Sequence, residues 1–200
     1  MKNIERIEKL LIIVDMVNGF IKEGKMADPY IMHIVEEQKR LLNLIENRIF
    51  IKDTHKENCN EFNRFPVHCL ENTSESELID ELKEYEKESF VYTKNSTNTF
   101  HAPNFKEDIN KMKALKEVIV TGCCTDICVL NLVISLQTYF DEQNRNTKII
   151  VPTNAVETYN SDSHKRDEYN EIAFKIMNQT GIKLVKRYRG NYGKFEKWYI

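Results

Sequence analysis

The sequence predicts an α/β protein: three layers, αβα, around a doubly wound, mostly parallel sheet of about six strands. Three observations carry that expectation. Six short, β-branched apolar runs recur, and several are apolar on both faces, as strands buried between two helical layers must be. Segments with helical spacing separate them, and strand–helix alternation folds into a parallel sheet with right-handed crossovers. No internal repeat, low-complexity tract or Pro/Gly/Ser-rich linker divides the 200 residues, so the chain reads as a single domain, 1–200.

The strand candidates, in order, are LLIIVD (10–15), RIFIKD (48–53), SFVYTK (89–94), EVIVTG (117–122), KIIVPT (148–153) and IKLVKR (182–187). Each is too short for a helix. Between the first two, residues 28–47 place Ile31, Ile34, Val35, Leu41, Leu42 and Ile45 on one helical stripe. Residues 74–87 open with a Ser/Thr cluster and a Glu, a capped helix start. Residues 126–143 are apolar nearly all round and predict a buried helix. Residues 161–181 open with Ser and Asp as caps and stop at Gly181.

Composition excludes several function classes. Charged residues make up 30% of the chain and nearly balance, with a net charge of −2, which argues against nucleic acid as a partner. No apolar run reaches the length of a membrane span, and the N-terminal run ends at Asp15, too short for a secretory core. A cytoplasmic protein with no membrane partner is expected. Five cysteines, an odd number, speak against a disulfide framework.

In a parallel sheet the ligand crevice lies beyond the carboxyl ends of the strands. The first strand ends at Asp15, the second at Asp53 and then His55, and the third at Lys94; the fourth runs into GCCTDIC, 122–128. Four consecutive strands thus deliver reactive side chains to one edge. Cys128 lies just inside the following helix, where N-terminal amides favour a thiolate, with Thr125 and Asp126 as caps. From this stretch alone, three buried small hydrophobes remain the commonest reading of the cysteines. A cysteine-only zinc site lacks a second pair at usable spacing, and a vicinal redox disulfide stays an alternative. Lys94 could hold a thiolate and Asp15 could take its proton.

The connection 52–76 holds a second cluster: Asp53, His55, Glu57, Cys59, Glu61, His68 and Cys69. Asp53 and His55, at i and i+2, point the same way in extended chain. Two histidines with carboxylates suit Zn, Mn or Fe, and a polar solvated loop is the alternative. Cys59 and Cys69 are possible soft ligands.

These motifs, IIVDMVNGF, VYTKNSTNTF and GCCTDICV, resemble those of the isochorismatase-like cysteine hydrolases, and within them the nicotinamidases. The resemblance runs from Ile12 to about Val185. It implies an isochorismatase-like fold, a catalytic triad of Asp15, Lys94 and Cys128, and a cis peptide between Cys123 and Cys124. It also implies an oxyanion hole from the backbone amides of Cys124 and Cys128. A divalent metal, zinc first, would sit on Asp53, His55, Glu61 and His68, with Phe20 and Phe65 flanking a substrate ring. The implied reaction is hydrolysis of nicotinamide to nicotinate and ammonia by a homo-oligomeric enzyme of NAD salvage. Phe100 and His101 are further pocket candidates.

The sequence departs from the family's D-x-Q-N-D-F at Val17 and Gly19, and FPVH replaces its commoner P-P-H, which leaves other small amide, carbamoyl or ureido substrates open. A non-catalytic metal- or thiol-redox binding protein is the rival of another class. His33 and His164 read as structural or surface residues, and the aromatic tail from Tyr188, with the only Trp, reads as a docking segment.

Overall fold

In the computed structural model, residues 4–190 are described. A seven-stranded sheet runs through their centre in the order β3-β2-β1-β4-β5-β7, with β6 paired to β4 beside this path. The strands are β1 (Lys9–Val14), β2 (Arg48–Asp53), β3 (Phe90–Lys94), β4 (Glu117–Cys123), β5 (Lys148–Pro152), β6 (Val156–Glu157) and β7 (Lys183–Val185). Every strand pairing within it is parallel. All six expected strands are present within a few residues of their predicted bounds. The addition, β6, is two residues long and too short to show a period.

Alternation along the strands builds two cores. On β1, Leu10, Ile12 and Val14 face one side, with α4 (Phe105–Lys111), α5 (Leu130–Glu142) and α6 (Arg166–Gln179). Leu11 and Ile13 face the other, with α1 (Asn18–Ile21), α2 (Val35–Leu44) and α3 (Asp80–Glu86). Both faces being covered is why these strands read as continuous apolar runs. Burying each Leu or Ile this way contributes roughly 1.5–3 kcal/mol.

Three expected helix starts are corrected. Residues 28–47 begin as a 3₁₀ turn, Pro29–Ile34, before α2. No Ser or Asp side chain caps α3 or α6; the positions before them are Ile79 and Lys165. The Ser/Thr cluster instead forms a separate turn, Ser74–Ser76. Gly181 does close α6, at φ +94. The tail expected to dock lies, beyond Gly190, outside the described residues; Tyr188 itself is fully buried in the α2 face, its hydroxyl donating to Glu117.

Gly122 shows how closely β4 approaches β1. Its φ is +115, and a Cβ there would lie 2.0 Å from the Val14 carbonyl oxygen, so only glycine fits. That approach sets the start of the cysteine turn beside the end of β1.

Candidate active site

The ends of four strands converge as the sequence suggests. Asp15 follows β1 with a left-handed backbone, φ +52, a conformation that non-glycine residues hold only when their surroundings enforce it. Its amide donates to the Ile51 carbonyl at 3.0 Å, fixing it against β2. Asp53 and Lys94 are direct partners in the β2–β3 register, so their side chains leave the same face of the sheet. Lys94 Nζ lies 2.5 Å from Asp53 Oδ1, 2.8 Å from Asp15 Oδ2 and 3.6 Å from Cys128 Sγ. All four residues are buried.

Electrostatics follow from that burial. Desolvation is the largest influence on Asp15 and raises its pKa to about 6, against the pull of Lys94. Burial also favours a neutral amine at Lys94, but the two carboxylates override it and keep the ammonium. At Asp53 burial is likewise opposed by Lys94 and the imidazoles, which hold its carboxyl well below the usual carboxylate range. At Cys128 burial, with Asp15 and Asp53 nearby, pushes the thiol well up despite Lys94, which calls for the proton acceptor that Asp15 was expected to be.

In the turn that carries Cys128 the Cys123–Cys124 peptide is cis, as the resemblance implies, but the helix start differs from expectation. A π-helical turn, Thr125–Val129, precedes α5, and neither Thr125 nor Asp126 caps it. The Thr125 hydroxyl is buried without a partner. Asp126 turns away to accept from the Thr158 hydroxyl at 2.5 Å and to meet His164 Nε2 at 2.8 Å. All five cysteines are free; Cys123 is buried, its thiol donating to the Asp15 carbonyl at 3.2 Å.

The second cluster folds back as it must. A parallel bridge between His55 and Leu70, with His55 N–H donating to the Cys69 carbonyl, draws the far end of the connection beside β2 and delivers His68. His55 Nε2 and His68 Nε2 lie 3.1 Å apart, and Asp53 Oδ2 is 2.8 Å from the first and 3.2 Å from the second. Candidate ligand atoms of these three buried residues all lie within 4.8 Å of one another. Both Nδ1 atoms have acceptors, Asn95 Oδ1 at 3.1 Å and the Pro66 carbonyl at 2.7 Å. Nδ1–H donation there leaves two Nε2 lone pairs facing one carboxylate, an arrangement that suits a divalent cation.

Glu61 lies at the edge of this group, 3.8 Å from His55 Nε2, with its other oxygen accepting from the Thr97 amide at 2.6 Å. Cys59 Sγ is 3.2 Å from His55 Nδ1, on the side away from the three ligand atoms. Cys69 accepts no such place; its backbone is pinned to Glu75.

A small cavity of about 30 Å³ joins the two clusters, lined by Asp53, Glu61, His68 and Cys128 and by Phe20, Phe65 and Cys124. Phe20 and Phe65 thus both line it, Phe20 with its ring centroid 5.5 Å from that of His68. Phe100 and His101 do not line it. Phe100 packs on Tyr139 and His101 is exposed, because the chain after Lys94 turns Thr97 inward instead. Met26, Thr97, Ile127 and Tyr159 line the cavity too and were not singled out in the sequence. Tyr159 follows β6, and extending the strand-end reading past the fifth strand would have reached it.

The departures in the first motif have local causes. Val17 is fully buried and bridges to Leu78. A Cβ on Gly19 would lie 2.6 Å from Cys69 Sγ, so the side chain is excluded by the folded-back connection.

A family model, described as the isochorismatase domain, matches residues 9–185, from β1 to β7. The chain belongs to the isochorismatase family. Nicotinamidase 1 of Arabidopsis thaliana is 36% identical to this chain over 141 residues, 62% of this chain and 57% of that protein. The match thus spans little more than half the length of that relative. The structure of the yeast nicotinamidase Pnc1p superposes with a TM-score of 0.76 at 19% identity, covering 90% of this chain and 100% of that one. The pyrazinamidase of Pyrococcus horikoshii in complex with zinc gives 0.72 at 22%, covering 91% and 100%. These two likenesses are of fold. Among the described residues no helix is long and apolar enough to cross a membrane.

Proposed function

We propose that the protein is a metal-dependent cysteine amidohydrolase that converts nicotinamide to nicotinate and ammonia, in NAD salvage. The observation that carries this reading is the buried group of Asp15, Lys94 and Cys128, joined through Lys94 to Asp53, with Cys128, Asp53 and His68 lining one cavity. The likeness to Nicotinamidase 1 supports it.

In this reading Asp15 takes the Cys128 proton as the sulfur attacks the amide carbon. The oxyanion is met by the backbone amides of Cys124 and Cys128. Asp15 returns the proton to the departing nitrogen, ammonia leaves, and a thioester remains on Cys128. Water, deprotonated by Asp15, hydrolyses it to the acid and restores the thiol. A base with a pKa of about 6 suits both proton transfers near neutral pH. Lys94 offsets the negative charge that builds on sulfur and oxygen.

Asp53, His55 and His68, with Glu61 beside them, would hold the divalent metal, zinc by its ligand set. The bound ion would supply a Lewis-acid site for the ring nitrogen and so position the amide at Cys128. Phe20 and Phe65 flank the ring. The enzyme is read as one domain, a homo-oligomer working in the cytoplasm.

Ammonia release from nicotinamide, with and without chelator, tests the reading. Release that survives Cys128→Ala would sink it. The second reading is a related small amide, carbamoyl or ureido substrate, which a panel of amides separates.

A further inference from the structure

The cavity at Cys128 has room for about one water, about 30 Å³, whereas an outer cleft of about 840 Å³ lies directly beyond it. Three side chains line both: Met26, Phe65 and Tyr159. They stand between the cavity and the cleft.

The three are not equally free to give way. Met26 is half-buried, unbranched and adaptable. Phe65 is half-buried on the long connection between β2 and α3. Tyr159 is clamped twice. Its ring lies parallel to the His164 imidazole, centroids 3.9 Å apart at 11°, and His164 is backed by Tyr169 at 3.7 Å and 26°. The Tyr159 carbonyl meets His164 Nδ1 at 3.1 Å. His164 Nε2 is in turn held by Asp126, two residues before Cys128. The nucleophile turn and the wall facing it are thereby joined through one imidazole.

We propose that Tyr159 is the specificity-determining wall of the reaction cavity, held in place by His164 as a positioning residue. The wall restricts acyl groups to one small flat ring, and Met26 and Phe65 are the parts that move aside. Without the wall, cavity and cleft merge, and a larger acyl group extends toward Lys25, Asp28 and Arg166, which line the cleft. This deepens the amidohydrolase reading and rests on it.

The test is kcat/KM for ammonia release from a one-ring and a two-ring aromatic carboxamide, with wild type, Tyr159→Ala, Tyr159→Phe and His164→Ala. Tyr159→Ala should shift selectivity toward the two-ring amide by at least about tenfold, chiefly through KM. Tyr159→Phe should restore wild-type selectivity, and His164→Ala should shift it part of the way. An unchanged ratio in a folded, active Tyr159→Ala enzyme overturns the wall. A shifted ratio in Tyr159→Ala with none in His164→Ala overturns the positioning role. Wild type that hydrolyses no amide overturns the underlying reading, and the inference with it.

Discussion

Lys94 Nζ and Asp53 Oδ1, 2.5 Å apart, tie the Asp15–Lys94–Cys128 group to the Asp53–His55–His68 group. The same ammonium faces Asp15, so one buried cation is shared by two carboxylates. Lys94→Met should therefore abolish ammonia release and destabilise the fold by about 3–5 kcal/mol, because it strands two buried charges. Urea unfolding reads the second effect. A change under about 1 kcal/mol would show that Lys94 does not neutralise the pair.

Asp15→Asn should lower kcat by about 10²–10⁴, the usual contribution of a general base. It should also slow alkylation of Cys128 by iodoacetamide, since the buried thiol then has no proton acceptor. Peptide mapping locates the label. Equal labelling of Cys128 in both proteins would show that the thiol ionises without Asp15.

The pH profile follows from the sign of the Asp15 shift. Burial raises its pKa from 3.8 to about 6, and only the ionised form is a base. From pH 7 to pH 5, kcat/KM should fall about tenfold, with a plateau above neutrality. The same shift favours the protonated folded state. Its contribution to stability is present below pH 3.8 and is lost as pH rises through about 6. Activity undiminished at pH 5 would remove Asp15 from the role.

Chelation should lower both activity and the melting temperature, and zinc should restore them, since a ligand bound only by the folded state stabilises it. His68→Ala should bind no metal by elemental analysis, against roughly one ion per wild-type chain. Wild-type protein that takes up no metal would refute the assignment of Asp53, His55 and His68.

Much of this site could be read from strand ends, because a buried parallel strand announces itself as an apolar run and must deliver its last polar residue to the crevice. Asp15, Asp53 and Lys94 could be placed at that edge in this way, while the roles expected of them came from the family resemblance. His68 was harder, since its place depends on the His55–Leu70 bridge, which no local pattern encodes. Asp126 misled as a cap because local propensity cannot see His164, distant in sequence but 2.8 Å away. The raised thiol of Cys128 was hidden for a similar reason: proximity to a helix start is local, whereas desolvation belongs to the whole fold.

β1 is paired on both sides, with β2 and β4, and lies between both cores. Its amides should exchange with solvent only when the whole molecule opens, whereas the connection bearing His68 is held by two isolated bridges, His55–Leu70 and Val17–Leu78, and by turns. Asp15 thus rides on the last segment to open and His68 on one of the first. In the proposed reading, an ion exchanges at Asp53, His55 and His68 through local opening while Asp15 and Cys128 stay shielded.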